Sequence, residues 1–597
     1  MLRPLRVAAL VKQIPKIEAM ALGPDGRLQR EGLPLYMNDY CRRAVAKGYE
    51  LARASGGELT VITLGPPSAE NVLREAIAFG ADRGVHITDV AFAGSDTLAT
   101  ARALAAALHK LGAFDLVLAG RNSVDADTGQ VPPQLAALTG MPFCTGVRDL
   151  SLDGETLRLR LEHDDEWVDA EVELPAMLSC AERLTDPCKV KEPAVWATVD
   201  ASTITRLSAA DLGAGPWGQA GSPTNVGDVR TVEVTRQQLR AGGSVDEQIA
   251  AIMAVIEDRA ALEVAAGDDR QSSRVVRGAG GTRAGPAVVV AVEPSRARIT
   301  RELLGVAAHF ASEVGGHVVA FGPTPGDSRR LATWGADQVM SVRGSRVEED
   351  VATALIDWST TNSPWAILGP STAWGREVLS RTAAMLSAGM TGDAVELEAR
   401  NGRLVAWKPA FGGKLLAEIH CRSPIQIATV RGGVLPLRTP RDASAAPVVE
   451  ITAPAVSRVR ILDKMREDDS DELVNASVVV GVGMGVHVDD YPLLESLTER
   501  FGAALCATRK VTDLGWLPRA RQVGITGHSI APSLYVCIGA SGKFNHTVGV
   551  RGAGTIVAIN DDPDAAIFEF ADIGVVGDWK IVLPALAPLL EAALKSG

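Results

Sequence analysis

Short apolar runs alternate with longer amphipathic stretches through the first part of the chain. Strands separated by helices of about ten to fifteen residues predict a parallel sheet with helices on both faces. Asn38 and Ser68 are expected to cap two of these helices. Period-two alternation over 156–162 and 166–172 then predicts an antiparallel hairpin at the sheet edge. The first strands are predicted at 5–11, 59–64, 84–88 and 114–119, and the helices at 39–54, 68–79 and 96–111.

The same pattern recurs in the second half of the chain. A Gly-Pro step, a helix and a Gly-Ala-Asp step lie at 65–82 and again at 322–337. The apolar run at 116–120 has a counterpart at 366–369, and a second hairpin is predicted over 402–419. A repeat of this kind indicates two copies of one α/β domain. We expect the copies to pack together as a pseudo-symmetric pair in which one copy keeps a ligand site.

A third region, residues 476–597, predicts another doubly wound sheet, so the fold class is α/β with three mostly parallel-sheet units. Its first strand enters the loop Gly481-Val482-Gly483-Met484-Gly485. Glycines after a strand let the backbone approach an anion, and ligands of open sheets bind at the carboxyl ends of the strands. Several loops rich in Gly, Ser, Thr and Asn favour a nucleotide site, although one glycine loop alone is also compatible with a tight turn. The strands are predicted at 477–480, 503–507, 534–538, 555–559 and near Gly574, with a helix at 490–502.

Two joins separate these regions. Ser244 and Glu247 form a capping box ahead of a helix at 245–262, and the Gly- and Arg-rich stretch that follows predicts a flexible linker. The second join, 438–477, contains several prolines and predicts irregular chain. The predicted domains are 1–262, with an α/β core at 1–205 and a C-terminal arm and helix, then a linker at 263–285, and further domains at 286–437 and 438–597.

Composition and charge narrow the function classes. The 597 residues include 60 basic and 72 acidic side chains, a net charge of −12, and no basic tract, which argues against a nucleic-acid partner. Seven widely spaced cysteines favour a reducing, cytoplasmic location, and no apolar stretch is long enough to insert across a membrane. Because neither metal-ligand spacing nor a hydrolase motif is present, no metal is expected and the chemistry falls to a bound cofactor.

Two cations of the third region are candidates for that chemistry. A flavin that takes up negative charge on its pyrimidine ring is stabilised by a cation or hydrogen-bond donor at that edge. Arg509 and His546 could supply such groups. The alternatives are a surface salt bridge for Arg509 and a core or helix-end histidine for His546, and the residues alone leave both open.

Longer motifs carry a family resemblance. Residues 552–568 and 571–578 are similar to the C-terminal signature of the electron transfer flavoprotein alpha subunit, and so are 522–527 and 541–546. The chain as a whole resembles a fusion of the beta and alpha subunits, with 1–262 beta-like, 286–437 the alpha N-terminal domain and 438–597 the FAD-binding domain. The other motifs that agree are Thr391-Gly392-Asp393 with Thr429-Val430-Arg431-Gly432 for alpha, and Val11-Lys12, Met37-Asn38, 80–84 and 120–133 for beta.

The resemblance implies an FAD in the third region. Arg509 matches the family's arginine beside the flavin ring, His546 matches the histidine facing its pyrimidine edge, and Thr526 can add a hydroxyl hydrogen bond; these three are the expected catalytic residues. Departures from the family pattern are Met484 in place of an arginine and Ile525 in place of a glutamine. The positions that match FAD contacts are Thr508, Arg509, Val523, Gly524, Ile525, Thr526, Ser541, Gly542, Lys543, Phe544, Asn545, His546, Asn560, Asp578 and Trp579.

The resemblance also implies a second nucleotide site in the beta-like half. Ordinary family members hold AMP there, and electron-bifurcating members hold a second FAD and react with NADH. Segments 92–100 and 124–131 resemble the bifurcating pattern more closely, whereas Asn122-Ser123 and Pro132-Pro133 depart from both patterns. A second FAD, AMP and an empty structural copy therefore stay open. The matching positions are Leu10, Asn38, Leu64, Asp96, Thr97, Thr100, Asp125, Asp127, Thr128, Gln130 and Val131.

The implied function is an FAD-dependent electron carrier rather than a substrate-converting enzyme. It would accept electrons from a flavin dehydrogenase of the acyl-CoA dehydrogenase type and pass them to a membrane quinone oxidoreductase or a similar acceptor. The alternatives are an NADH-oxidising bifurcating flavoprotein and a nucleotide sensor without a redox role. The resemblance places partner docking at 181–196, with Leu184 as the expected apolar anchor.

Overall fold

The chain folds into two compact units. The larger unit comprises Met1–His163, Trp167–Thr231 and Ser272–Met465, and the smaller unit comprises Asp164–Glu166, Val232–Gln271 and Arg466–Gly597. Most of the predicted linker at 263–285 lies outside the described residues. The structure, a computed structural model, describes residues 3–16, 33–190, 192–231, 236–262, 274–276, 285–323, 325–411, 415–454, 457–466, 470–524 and 527–596.

The first copy of the repeat contains every strand and helix predicted for it, with ends shifted by a few residues. Its apolar runs are buried because the strands lie between two layers of helices. The strands are β1 (Arg6–Leu10), β2 (Gln13–Pro15), β3 (Leu35–Met37), β4 (Glu58–Leu64), β5 (Arg83–Ile87), β6 (Leu116–Gly120), β7 (Phe143–Asp153), β8 (Thr156–Glu162), β9 (Glu166–Glu173), β10 (Ala176–Cys180), β11 (Ile204–Leu207) and β12 (Thr224–Thr231). The helices are α1 (Asp39–Ser55), α2 (Glu70–Phe79), α3 (Thr97–Leu111), α4 (Val131–Thr139), α5 (Pro193–Ala197), α6 (Ala209–Leu212) and α7 (Gly218–Gly221).

Of the two predicted helix caps, Asn38 occupies the expected N-cap position and Ser68 does not. Asn38 stands at the N-cap of α1, but its side chain makes no capping bond and donates instead to the Asn122 carbonyl at 2.8 Å. Ser68 precedes the N-cap residue of α2 and donates its hydroxyl to Gln13 at 3.1 Å. Both polar side chains are used in contacts distant along the chain, which a local capping pattern does not register.

A short arm follows the first copy, with β13 (Leu239–Ala241) and α8 (Val245–Asp258). The predicted capping box at the start of α8 is confirmed, since the Ser244 side chain accepts from the Glu247 N–H and the Glu247 carboxylate accepts from the Ser244 N–H. Two orphan donors of the first turn are thereby satisfied.

The second copy repeats the elements of the first. Its strands are β14 (Ala287–Ala291), β15 (His317–Gly322), β16 (Gln338–Arg343), β17 (Ala366–Pro370), β18 (Gly389–Ala394), β19 (Glu396–Arg400), β20 (Arg403–Ala410), β21 (Leu415–Cys421), β22 (Gln426–Val430), β23 (Val448–Thr452) and β24 (Val459–Arg466). Its helices are α9 (Ala297–Glu313), α10 (Ser328–Trp334), α11 (Glu348–Asn362) and α12 (Ala373–Met385).

Sheet topology confirms the duplication. The first sheet has the order β11-β5-β4-β1-β6-β10-β7-β8-β9-β24, and the sheet of the second copy has the order β23-β16-β15-β14-β17-β22-β18. The seven sheet positions from β11 to β7 in the first sheet therefore correspond, one by one, to the seven positions from β23 to β18 in the second sheet. All of these neighbours pair in parallel. Strands β8 and β9 form the predicted antiparallel hairpin, and β7 also pairs antiparallel with β8.

The two copies pack together within the larger unit by exchanging strands. β12, which follows the first copy, pairs antiparallel with β21 in the hairpin of the second copy. β24, which follows the second copy, lies beside β9 in the hairpin of the first copy. The second join is therefore wrongly predicted as irregular, because β23 and β24 each extend a sheet of the larger unit along its edge.

Among its described residues, the smaller unit contains five further strands and five further α-helices beside β13 and α8. The strands are β25 (Val478–Val482), β26 (Ala504–Ala507), β27 (Leu534–Ile538), β28 (Thr555–Asn560) and β29 (Ile573–Val576). The helices are α13 (Ser470–Asn475), α14 (Tyr491–Arg500), α15 (Arg509–Asp513), α16 (Phe544–Thr547) and α17 (Trp579–Ser596). The strands form a six-stranded parallel sheet of order β13-β29-β28-β27-β25-β26, and the core lies between this sheet and helices on its faces, including α8 and α17.

The compact units divide the chain differently from the predicted domain boundaries. The arm assigned to 1–262 folds with the smaller unit, where β13 pairs with β29 and Arg236 forms a buried ion pair with Asp572 at 2.8 Å. The chain between 438 and 465 belongs to the larger unit. Long-range strand pairing, which leaves no local sequence signal, sets both boundaries.

A buried carboxyl on α9 predicts a pH-dependent stability. Glu302 is 1% exposed, and burial raises its pKa to about 7. Because the folded state holds this proton more tightly than the unfolded chain, its stabilisation is full below about pH 4.5 and is lost as the pH rises towards 7. Glu302→Gln should therefore flatten the fall in thermal stability of the full chain between about pH 5 and 7, followed by circular dichroism.

The matched control is Glu313→Gln, which changes an exposed carboxylate on the same helix and should keep the parent's pH profile. The same slope in Glu302→Gln and in the parent chain would show that Glu302 does not titrate in this range.

Candidate functional site

The parallel strands of the smaller unit all end at one edge of the sheet, here called the carboxyl edge. Strands β25 to β29 end at Val482, Ala507, Ile538, Asn560 and Val576. The loops that leave these ends contain most of the residues predicted to bind FAD. In an open α/β sheet this is the edge at which ligands bind.

Backbone segments approach one another closely at the carboxyl edge because glycines line the loops. A Cβ atom added to Gly483 would lie 2.3 Å from the Gly539 carbonyl oxygen, and one added to Gly485 would lie 2.8 Å from the Gly539 Cα. Gly542 has a φ of +74°, and a Cβ there would lie 2.0 Å from the Ile567 nitrogen. Any side chain at these positions would push the loops apart.

A second glycine contact joins the loop after Val523 to the segment around α16. Gly524 has a φ of +140°, and a Cβ there would lie 2.3 Å from the Asn545 carbonyl oxygen. Two expected FAD contacts, Ile525 and the catalytic candidate Thr526, lie outside the described residues. The N-terminal end of this loop, at Val523 and Gly524, is nevertheless fixed against the 541–547 segment.

Several of the predicted FAD contacts present side chains at the surface of this edge. Ser541, Lys543 and Asn545 are exposed, and Gly542 between them is buried. Thr508 is the N-cap of α15 and makes no capping bond with its side chain. These positions offer hydroxyl, amide and ammonium groups to a ligand.

Arg509 lies in the first turn of α15 and is partly exposed. Its Nε donates to the Asp513 carboxylate at 3.2 Å, with both side chains somewhat under 40% exposed. An exposed pair four residues apart on a helix contributes little stability and can open at small cost. The structure thus shows Arg509 in the surface salt bridge that the sequence left open as the alternative, and its role beside a flavin stays a prediction.

His546 is placed differently from the expected ligand-facing position. It is 6% exposed, and both ring nitrogens are hydrogen-bonded within the protein, Nε2 to the Tyr535 hydroxyl at 2.8 Å and Nδ1 to the Val523 carbonyl at 3.1 Å. Burial lowers the pKa of the imidazole. A neutral histidine with both nitrogens occupied has no N–H left to offer a ligand in this geometry.

Other predicted contacts also support the edge from within. Val523 and Trp579 are buried in the core of the smaller unit. Asn560 is buried and donates to the Ala540 carbonyl at 2.9 Å, which fixes the loop after β27. Asp578 is exposed and accepts from the Lys580 N–H at 2.9 Å at the start of α17. Phe544 begins α16.

The residues of the carboxyl edge fit an FAD. The exposed side chains of Ser541 and Asn545 supply hydroxyl and amide groups that can bond the phosphates and sugar of a dinucleotide. Arg509 and Lys543 bring positive charge to the same edge. The fit rests on these two features of the described residues.

The predicted second site lies at the equivalent edge of the first copy, around the 122–130 loop. Lys12, just after β1, donates to both carboxylate oxygens of Asp125 at 2.8 and 2.9 Å. Burial acts to raise the pKa of Asp125, but the Lys12 ammonium outweighs it and holds that pKa below its usual range. Asp127 accepts from the Asn122 side chain at 2.7 Å, so the loop is fixed by its own carboxylates.

Several predicted second-site residues are engaged within the protein. Asp96 caps α3 through the Ala99 N–H at 2.9 Å, and its other oxygen accepts from the Thr224 hydroxyl at 2.7 Å. Thr97 donates to the Gln130 side chain at 2.7 Å. These side chains therefore fix the segments around the predicted site by hydrogen bonds within the protein. Leu10 is buried at the end of β1, and Leu64, Thr100, Thr128 and Val131 are partly buried.

The second copy holds the 122–130 loop in place, which the sequence did not predict. The buried Lys408 ammonium on β20 donates to the Ala126 carbonyl, and the Phe411 N–H donates to the Asp125 carbonyl at 3.0 Å. Lys408 lies far from the loop in sequence, and no local motif marks it. The sequence signal was a lysine inside the hairpin predicted over 402–419. A lysine that is buried there needs a partner, because lysine is seldom buried unpaired.

The Thr391-Gly392-Asp393 and Thr429-Val430-Arg431-Gly432 motifs meet in the second copy. Asp393 is buried and forms an ion pair with Arg431, and Arg376 lies 3.8 Å from the same carboxylate. Burial acts to raise the pKa of Asp393, but the two arginines hold that pKa below its usual value. The two motifs therefore form one buried charge pair.

The expected docking anchor is wrong. Leu184 is buried and packs in the hydrophobic core of the first copy, so it cannot contact a partner. Within 181–196, Val195 is the large apolar side chain that is exposed among the described residues.

Among the described residues, no group of three or more His, Cys, Asp or Glu side chains could hold a metal ion. No helix of that part of the chain is long and apolar enough to cross a membrane. All seven cysteines are unpaired and buried.

Fold and site together define a protein with a duplicated α/β unit and a separate doubly wound domain. The sequence model described as Electron transfer flavoprotein domain matches residues 25–212 and again residues 288–456, in agreement with the duplication. The model described as Electron transfer flavoprotein FAD-binding domain matches residues 472–551. The chain belongs to the electron transfer flavoprotein family.

Named relatives match the C-terminal half of the chain. Electron transfer flavoprotein subunit alpha of Thermoanaerobacterium thermosaccharolyticum is 35% identical over 300 residues, covering 48% of this chain and 91% of the relative. The protein of that name from Mycobacterium leprae is 33% identical over 306 residues, covering 49% and 94%. Protein FixB of Rhizobium meliloti is 35% identical over 328 residues, covering 50% and 90%.

The contact from Lys408 makes the 122–130 loop dependent on the second copy. Lys408→Met keeps the apolar stem and removes the donor to the Ala126 carbonyl. Loss of one hydrogen bond of ordinary strength should speed amide exchange in this loop about fivefold. Hydrogen–deuterium exchange of the full chain, followed by mass spectrometry, measures the change.

Lys110→Met removes the same charge from an exposed position on α3 and should leave exchange in the loop unchanged. Parent-like exchange in Lys408→Met would show that the loop holds its conformation without the second copy.

Proposed function

We propose that the chain is an electron carrier whose FAD binds at the carboxyl edge of the smaller unit. The observation that carries the proposal is the glycine-lined meeting of loops beside exposed Ser541, Lys543 and Asn545, in a region that matches an FAD-binding domain. FAD supplies one- and two-electron transfer when bound, and the protein supplies position and electrostatics.

The described side chains have different roles at this edge. Arg509 supplies positive charge at this edge, and it favours electron uptake because negative charge then develops beside it. Asn560 and His546 hold the loops from within. The expected hydroxyl contact of Thr526 stays a prediction.

We also propose that residues 1–262 are a beta-like half, which makes the chain a beta–alpha fusion. The support is the double match to one family domain together with alpha-type relatives that cover the C-terminal half only. One chain would then carry both halves in a fixed ratio.

The second nucleotide belongs at the 122–130 loop of that half. The sequence pattern at 124–131 favours a second FAD over AMP. Lys12 is partly exposed beside Asp125, and its ammonium group could bind a phosphate of the second nucleotide. An NADH-oxidising bifurcating flavoprotein is the alternative function that a second FAD would favour.

Electron donors and acceptors follow from the proposed carrier role. A flavin dehydrogenase would reduce the FAD, and a membrane quinone oxidoreductase or a similar acceptor would oxidise it. We propose a cytoplasmic location for this exchange.

Nucleotide release tests the proposal. Denaturation of the purified full chain should liberate two FAD molecules per chain, counted by chromatography. One FAD and one AMP would refute the second FAD and keep the carrier role, whereas a colourless protein would refute both and favour a nucleotide sensor. A carrier should also keep its flavin absorbance when NADH is added, and bleaching by NADH alone would favour the bifurcating alternative.

A further inference from the structure

Tyr535 is fully buried on β27, and its hydroxyl is hydrogen-bonded to His546 and to Cys506. The oxygen lies 2.8 Å from His546 Nε2, and His546 Nδ1 lies 3.1 Å from the Val523 carbonyl oxygen. Because a carbonyl only accepts, Nδ1 must carry the hydrogen and Nε2 must accept from the tyrosine O–H. The two partners together select one tautomer of His546.

The fold reserves space for this hydroxyl. A Cβ atom at Gly481, on the neighbouring strand β25, would lie 1.7 Å from the Tyr535 oxygen. The buried Cys506 Sγ donates to the same oxygen at 3.9 Å. Burial raises the pKa of Tyr535 well above its usual value, so the hydroxyl stays protonated. A glycine in the middle of a central parallel strand is costly, and here it admits one polar group.

The imidazole joins two loops of the proposed FAD site. The ring Nδ1 bonds the Val523 carbonyl in one loop, next to Gly524. The backbone N–H of His546 donates to the Lys543 carbonyl at 2.9 Å, within the other loop. The same two loops touch at Gly524 and Asn545. The position of one loop relative to the other thus depends on how His546 is held.

We propose that Tyr535 is a positioning residue for the flavin site, which holds His546 as the neutral Nδ1–H tautomer so that His546 fastens the Val523 loop to the 543–546 segment. The expected effect of Tyr535 on FAD binding rests on the proposed function. It departs from the expectation that His546 offers an N–H to the flavin. The hydrogen bond itself is independent of any cofactor.

The first test uses the full chain after removal of bound nucleotides. Nitrogen-15 NMR of labelled histidines should show His546 as the neutral Nδ1–H form at neutral pH, with the signal identified by its loss in His546→Gln. Tyr535→Phe, which keeps the ring and removes the donor, should give a mixture of tautomers. A neutral Nε2–H form or a charged imidazolium in the parent chain would overturn the proposal without need of a variant.

The second test follows FAD. Tyr535→Phe should weaken FAD binding about fivefold, the factor that loss of one ordinary hydrogen bond gives. At saturating FAD the flavin midpoint potential should fall, because less well fixed loop dipoles stabilise the reduced charge less. A purely structural tyrosine would lower thermal stability alone and leave the tautomer and the potential at parent values.

Tyr491→Phe is the matched control. Tyr491 is a buried tyrosine of the same unit whose hydroxyl has no hydrogen-bond partner among the described residues. This variant should keep the parent tautomer, FAD affinity and potential. Equal behaviour of the two variants would refute the role of Tyr535, whereas a parent chain that binds no FAD but shows the Nδ1–H tautomer would refute the proposed function alone.

Discussion

Close contact between backbone segments at glycines is the constraint on which the carboxyl edge of the smaller unit depends. Gly483 and Gly485 let the loop after β25 touch Gly539, and Gly524 lets a second loop touch Asn545. A methyl group at any of these positions would displace backbone instead of the end of a flexible side chain. The hydrogen bonds of Asn560 and His546 then fix loops that the glycines have brought together.

A comparable dependence runs through the larger unit, where one copy of a duplicated domain supports the other. The 122–130 loop belongs to the first copy, but Lys408 and the Phe411 N–H of the second copy hold its carbonyls. The second copy uses its own acidic residue, Asp393, in a buried pair with Arg431. Duplication has thus produced one copy with a candidate site and one that positions it, and the exchanged strands β12 and β24 keep the copies together.

The strands, the repeat and the carboxyl edge could be predicted because they rest on local periodicity and on rules of parallel sheets. The arm at 239–258 could not be assigned to its sheet, since three residues of β13 carry no signal for their partner strand. Asn38 shows the same limit at the level of one side chain, because its position predicts a cap and its amide binds Asn122. His546 was predicted to face a flavin, and its bond to Tyr535 could not be predicted, because the tyrosine hydroxyl lies against Gly481 of β25 only in the folded sheet.

The location of FAD at the carboxyl edge is the central claim, and hydrogen–deuterium exchange with and without FAD tests it most directly. The full chain, stripped of nucleotide and then reconstituted, should show slower exchange on FAD binding in α15, in the 541–547 segment and at the start of α17. Unchanged exchange in all three segments, with FAD bound, would contradict the account.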